Sequence, residues 1–264
     1  MTEAALSGAL PLDWPAETGR IVLEECASTN AQALAMASDA TQPTWILTHR
    51  QTEGRGRRGR GWLMPEGNFA ATLLLPRPGS ALIAAQLSFV AALAVDDALA
   101  LVLGPAAAHR TAIKWPNDNL LDGGKIGGIL LETSTRGTGI DAVAVGIGVN
   151  LAAAPDNAQL EDGAMPPVSL AEATGLTVTP EDFLDLLAPA FDRWLRLHRA
   201  EGFTRIRDAW LPRAARLGQD ITARTGRDSL TGRFESIDET GAMILMTDAG
   251  RHVLPAADIH FGAA

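Results

Sequence analysis

Residues 51–68 read Gln-Thr-Glu-Gly-Arg-Gly-Arg-Arg-Gly-Arg-Gly-Trp-Leu-Met-Pro-Glu-Gly-Asn. Gly54, Gly56, Gly59, Gly61 and Gly67 share this stretch with Arg55, Arg57, Arg58 and Arg60. So much glycine cannot bury a side-chain core and loses much backbone entropy on ordering. Its amides can approach a ligand closely, and guanidinium groups suit phosphate. The chain carries a net charge of −9, so this cationic run stands against the overall balance. The stretch reads as a loop that is mobile until filled and that closes over an anionic nucleotide.

Four further stretches carry polar chemistry. Lys114-Trp115-Pro116-Asn117-Asp118 puts a point charge at a strand end beside a rigid corner; a surface turn with a snorkelling lysine would look the same. Gly123-Gly124-Lys125-Ile126-Gly127-Gly128-Ile129-Leu130-Leu131-Glu132 sets glycines inside a strand, which marks bulges, close ligand approach or helix packing. Val145-Gly146-Ile147-Gly148-Val149-Asn150 alternates small residues on one strand face and ends on an amide. Ser28-Thr29-Asn30 offers neutral donors and acceptors, or simply a helix cap. Trp62 is either a core aromatic or a lid over a flat group.

Gly54, Gly56 and Gly59 match a dinucleotide-binding fingerprint in spacing only. Gly61, Pro65 and Gly67 follow, so no helix can begin there, and Leu73–Ser80 holds no acid to bind a ribose. Gly124-Lys125 is followed by Ile126, not Ser or Thr, which excludes a phosphate-binding P-loop.

These groups need elements to hold them. Strands are expected at Arg20–Glu25, Thr44–Arg50, Asn68–Leu75, Thr111–Trp115, Ile126–Thr133 and Ala142–Leu151, with Asn119–Lys125 as a turn. Helices are expected after Ser28-Thr29-Asn30, over Ala81–Leu103 up to Gly104-Pro105, and at 169–174, 180–200 and 202–211. Glycine turns at Gly123-Gly124 and Gly137–Gly139 suggest antiparallel hairpins. The elements mix rather than alternate, so the fold class is α/β (α+β), a mixed sheet with packed helices.

The organisation divides at about residue 215. Residues 1–19 read as an arm, 20–215 as the main domain and 216–264 as a small all-β domain of period-two runs between turns, packed on the larger one. Asp96 and Asp97 inside Ala81–Leu103 argue for a buried helix rather than a membrane span. With one cysteine, Cys26, no intramolecular disulfide can form, and with no basic n-region at the start a signal peptide is not expected. Cytoplasmic location is the expectation.

Taken together and in order, Ser28-Thr29-Asn30, Gln51, Gly54–Arg60, Lys114–Asp118, Lys125–Glu132 and Gly146–Asn150 resemble the biotin protein ligases. The resemblance covers residues 20–151 strongly and the C-terminal β unit by architecture. It implies a catalytic domain related to class II aminoacyl-tRNA synthetases, followed by a Src-homology-3-like barrel. It implies that Ser28, Thr29, Asn30 and Gln51 bind biotin, chiefly its ureido ring, while Gly127, Gly128, Gly146 and Gly148 leave room for ring and valeryl chain. Gly54, Arg55, Gly56 and Arg57 would close on biotin and the adenylate. Arg58, Trp62, Asn117 and Asn150 would serve the nucleotide, with Trp62 and Asn150 at adenine. Lys114 would be the central cation on carboxylate and α-phosphate, and Lys125 a second phosphate ligand.

The activity implied has two steps: biotin and ATP give biotinyl-5'-AMP and pyrophosphate, then a lysine of a biotin carboxyl carrier domain takes the biotin. Mg²⁺ is expected through the ATP phosphates, with no protein metal ligands assigned. Only 19 residues precede the first strand, so a ligase without the family's N-terminal DNA-binding domain is expected, with no specific DNA binding and no membrane partner. The barrel is expected to dock the carrier domain, with His252 and His260 structural. Oligomeric state stays open, a homodimer included. Two other readings compete: a lipoate protein ligase, whose substrate lacks a ureido group, and a nucleic-acid-binding loop, which would want wider basic charge and interleaved aromatics.

Overall fold

A computed structural model of the chain describes residues 13–137, 139–156, 165–225 and 228–261. The N-terminal arm through residue 12, part of the 152–167 segment and the Gly226-Arg227 turn lie outside these ranges. Seven strands, β1 (Gly19–Cys26), β2 (Thr44–Gln51), β3 (Phe69–Pro76), β4 (Thr111–Lys114), β5 (Asp118–Leu121), β6 (Gly124–Arg136) and β7 (Gly139–Val149), form one sheet in the order β1-β2-β3-β7-β6-β5-β4. Helix α1 (Thr29–Ala35) joins β1 to β2, which pair in parallel; every other pair in the sheet is antiparallel.

β5 corrects the sequence reading, which gave Asn119–Lys125 to a turn. Asp122 and Gly123 have φ of 49° and 79°, a two-residue hairpin loop of left-handed residues. The turn is therefore shorter than its polar composition suggests. Asp118–Leu121 is free to pair with β4 on one side and β6 on the other.

Alternation along β7 sets the two faces of the sheet. Val143, Val145, Ile147 and Val149 enter the main core with Leu73, Leu75, Trp45 and Leu47. Ala142, Ala144, Gly146 and Gly148 face the other way. Ala142 and Ala144 join Ile46, Leu74 and Ala33 in a small second core under α1. Where the alanines give way to glycines, the small core stops and space opens.

The larger face is covered by α2 (Ala81–Leu103), α4 (Pro180–Glu201) and α5 (Phe203–Trp210); a short α3 (Leu170–Thr174) precedes α4. Ser80 caps α2 by accepting from the Ile83 amide, and Gly104, with φ of 74°, ends it. By length and composition α2 could cross a membrane, but its most apolar window is 67% buried inside the protein. Its adjacent acids are paired there: Arg213 reaches Asp96 at 3.0 Å and Asp97 at 2.7 Å, with the second Asp96 oxygen buried without a hydrogen-bond partner among the described residues.

The C-terminal strands β8 (Asp220–Arg224), β9 (Ser229–Ile237), β10 (Met243–Thr247), β11 (Gly250–Leu254) and β12 (Asp258–His260) form a five-stranded antiparallel sheet ordered β11-β10-β9-β8-β12. Its apolar face is continuous with the main core through Ile221, Phe234, Ile237, Met243 and Leu245. Trp210 bridges the two units, with ring centroids 6.5 Å from Phe234 and 5.5 Å from Phe89. Trp115 donates its indole N–H to the Gly241 carbonyl at 2.9 Å.

Candidate active site

A cavity of about 580 Å³ opens on the glycine face of the sheet. That is ample for a drug-sized ligand. Its floor follows from strand register: Ala70, Gly148 and Gly128 lie side by side across β3, β7 and β6, and Thr72, Gly146 and Leu130 form the next row. A Cβ on Gly146 would overlap the Asn30 side-chain oxygen, and one on Gly148 would overlap the Trp62 ring. These positions must be glycine because other side chains already lie on them.

At one end the groups are mostly neutral, with one ion pair between Arg55 and Glu132, and are tightly held. Ser28, the actual N-cap of α1, accepts from the Ala31 amide. Gln51 Oε1 accepts from the Thr29 amide at 3.0 Å and its hydroxyl at 3.3 Å. Thr72 donates to Thr29 or to Asn30 Oδ1, 2.8 and 2.7 Å away. Asn30 donates to the Glu132 carboxylate at 2.8 Å, and Arg55 reaches the same carboxylate at 3.5 Å. Ser28, Thr29, Asn30 and Thr72 are all buried. Burial of this many matched polar groups fixes a hydrogen-bonding surface in place, because leaving any of them unpaired costs about 1–3 kcal/mol.

The other end is cationic. Lys125 pairs with Asp118 at 2.7 Å, and Lys114 approaches the same carboxylate at 4.0 Å. The Lys114 side chain is only 12% exposed, and burial pushes its ammonium below the ordinary lysine range. Lys125 Nζ lies beside Gly128 and 5.8 Å from the Trp62 ring centre, so it borders the glycine floor directly. Lys114 stands further toward the barrel, 5.5 Å from the Phe261 ring centre. Arg57 donates to Asn117 Oδ1 at 3.1 Å, and Asn117 donates to the Ile129 carbonyl at 2.6 Å, tying the arginine loop to the floor. Asn150 donates to the Val168 carbonyl at 3.2 Å at the far wall.

The arginine loop follows a defined hairpin. Arg55 bridges Gly61, the Gly56 amide donates to the Arg60 carbonyl at 2.7 Å and the Trp62 amide to the Gly54 carbonyl at 2.8 Å. Trp62 leaves this hairpin to lie half-buried over Gly148.

Of the residues proposed from sequence, the cavity gathers Ser28, Thr29, Asn30, Gln51, Arg55, Gly56, Arg57, Trp62, Lys114, Asn117, Lys125, Gly128, Gly146, Gly148 and Asn150. Three fall elsewhere. Gly54 faces the Trp62 backbone, so it serves the loop's own closure. Gly127 faces the Gly148 carbonyl within the sheet. Arg58 turns away to pair with Asp258 of the barrel.

Sequence reading missed Asp118 and Glu132, although both close recognised motifs. It missed Thr72, whose signal was a lone polar residue inside the apolar run of β3. It also missed Arg224, Asp258 and His260, which line the cavity from the barrel. His260 had been expected to be structural; β12 instead turns it toward the site while Ile259 fills the barrel core. Burial, Arg224 and Lys114 hold its imidazole below the ordinary histidine range.

A hydrogen-bonding pocket running into a cationic rim on a mixed sheet suits a ligase that activates a carboxylate with a nucleotide. The family model described as biotin/lipoate A/B protein ligase matches residues 24–150, and the biotin protein ligase C-terminal domain matches 217–262. The biotin–[acetyl-CoA-carboxylase] ligase of Paracoccus denitrificans is 61% identical over 235 residues, 89% of this chain and 97% of that protein. A bifunctional ligase/repressor of Bacillus subtilis is 33% identical over 89% of this chain and 71% of its own length. The Aquifex aeolicus biotin protein ligase, solved with biotin and ATP, superposes with a TM-score of 0.76 at 25% identity, covering 91% of this chain and 97% of that one. The Leishmania major biotin protein ligase with biotinyl-5-AMP gives 0.62 at 25% identity, covering 90% and 99%. The chain belongs to the biotin protein ligase family.

Proposed function

We propose that this chain activates biotin with ATP to biotinyl-5'-AMP, releasing pyrophosphate, and transfers biotin to a lysine of the carboxyl carrier domain of acetyl-CoA carboxylase. The observation that carries the reading is the polarity gradient along one cavity. A neutral ureido head needs matched donors and acceptors, which Ser28, Thr29, Gln51 and Arg55 offer at one end. Its chain needs a floor without side chains of its own, which Gly146, Gly148 and Gly128 supply, with Asn30, Trp62 and Lys125 lying against them. Its carboxylate then reaches Lys125, Lys114 and Arg57. A dithiolane ring would leave the polar end unmatched.

In the first step the biotin carboxylate attacks the α-phosphate, and the pyrophosphate leaves with the bond pair. Two anions must meet, so a preorganised cation between them lowers the barrier. Lys125 borders the glycine floor and is the better placed of the two lysines to touch carboxylate and phosphate together; Lys114 and Arg57 complete the field. Asp118 pairs with Lys125 and lies within reach of Lys114, so it draws both lysines to one side of the cavity. Asn117 orients Arg57, and Trp62 with Asn150 walls the nucleotide side. Among the described residues no group of three or more His, Cys, Asp or Glu converges as a metal site. Mg²⁺ brought with ATP would therefore be held chiefly by phosphate oxygens and water, where it offsets phosphate charge.

In the second step the acceptor lysine attacks the acyl carbon and AMP leaves. The hairpin and Trp62 keep water from the anhydride meanwhile. A cytoplasmic setting is part of the same proposal, supported by the single cysteine. Pyrophosphate exchange into ATP, driven by biotin and run beside lipoate, tests the assignment. Exchange with biotin alone is expected, and exchange with lipoate alone would overturn it.

A further inference from the structure

We infer that Asp258, on the C-terminal barrel, is a positioning residue that latches the arginine hairpin across the cavity mouth and so retains the acyl-adenylate. The inference rests on the function proposed above for its second half; the latch itself is independent of it. One carboxylate oxygen of Asp258 accepts from Arg58 and from Arg60, the latter at 2.9 Å. These partners lie 200 and 198 residues away in sequence, so the contact joins two units of the fold.

The backbone of the hairpin is shaped for this contact. Arg58 has φ of 57° and ψ of 28°, a left-handed conformation inside the short turn Arg57–Gly59. A non-glycine residue stays there only when its surroundings hold it. The twist turns Arg58 away from the cavity and onto Asp258, while Arg57, one residue earlier, reaches Asn117 on the floor. The hairpin is thus held at two points, the floor through Arg57 and the barrel through Asp258.

Asp258 is itself well fixed. β12 pairs with β8 through Asp258–Arg224, Ile259–Ala223 and His260–Thr222, and Ile259 is buried in the barrel core. Alternation therefore sends Asp258 toward the hairpin. The carboxylate engages Arg58 and Arg60, while Arg57 stays on Asn117 at the floor. Such partly exposed ion pairs add little to global stability. Their effect falls on how often the hairpin lifts, and hence on how fast the intermediate escapes.

The test uses Asp258→Asn, Asp258→Glu and Arg58→Ala in the full chain. Hydrogen–deuterium exchange on the protein alone reads the latch. Amides of 54–61 are expected to exchange faster in Asp258→Asn, with barrel amides unchanged. Release of preformed biotinyl-adenylate is expected to quicken roughly two- to fivefold, the scale of one partly exposed charge contact. Asp258→Glu restores both towards wild type, and Arg58→Ala adds nothing to Asp258→Asn, since Asp258→Asn already removes the contacts to both Arg58 and Arg60. Unchanged exchange over 54–61 in Asp258→Asn, or additive effects of the two substitutions, would overturn the latch. If Asp258→Asn fails to fold, Arg58→Ala reads the same contact from the hairpin side. A parent protein that makes no adenylate sinks the function proposal, and exchange still decides the latch.

Discussion

Gly148 shows how a residue acts by what it lacks. The Trp62 ring lies where its Cβ would stand, and Gly128 beside it leaves room for Lys125. Gly148→Ala is expected to fold, since the backbone there is ordinary strand, but to push Trp62 off the floor. Its KM for biotin should rise about tenfold, the effect of about 1.4 kcal/mol of misfit; an unchanged KM would mean that Trp62 is not part of the slot. The two lysines make a second prediction. Lys125→Ala and Lys114→Ala are each expected to lose biotin-dependent exchange by ~10²–10³, the scale of one preorganised charge contact. The Lys125 loss should be the larger, because Lys125 borders the floor; the reverse order would return the central role to Lys114. Burial pushes the Lys114 ammonium down, and a bound phosphate favours its charged form again. Phosphate binding therefore takes up a proton once free Lys114 has titrated, and ATP affinity falls as pH rises through that point, below the ordinary lysine range. Lys114→Arg, always charged, should flatten that fall in a pH series of ATP binding.

At the scale of elements, the hairpin at 54–61 is the working part. Its floor attachment is Arg57 to Asn117, and Asn117 is held in turn by the Ile129 carbonyl. Arg57→Gly removes that attachment and adds backbone freedom. It is expected to form biotinyl-adenylate and release it early, seen as biotinylation of bystander lysines; retention equal to wild type would contradict a lid. The elements beneath were largely legible. Small residues alternating with valine and isoleucine from Ala142 to Val149 marked one small-residue face and one apolar face, and the structure puts the apolar face in the main core. β5 was not legible, because Asn117-Asp118-Asn119 has turn composition and only pairing on both sides makes it a strand.

At the scale of the whole molecule, the barrel is part of the enzyme's core and of its site. Removing residues 216–264 would strip Phe234 from Trp210, Gly241 from Trp115 and the main core of its covering. The truncated chain is expected to lose its cooperative melt by circular dichroism, whereas Asp258→Asn should melt within a few degrees of wild type. A truncated chain that melts cooperatively would show the barrel to be separable, and would allow its proposed docking of the carrier domain to be measured half-reaction by half-reaction.

Sequence alone determined the chemistry on offer and its order along the chain: arginines among glycines, lysines at strand ends, and small residues in alternation. These are local properties, set by residue type and by the two-residue period of a strand. The helix limits at Ser80 and Gly104 were local too, since capping and termination are decided within a turn. Tertiary structure alone decided which charges meet. Nothing in Asp258 or His260 as sequence points to a cavity formed by residues 28–150. Nothing in Arg58 as one arginine of four separates it from Arg57. Ion pairs between distant segments depend on where two sheets come together, and the continuous core between barrel and main sheet sets that meeting.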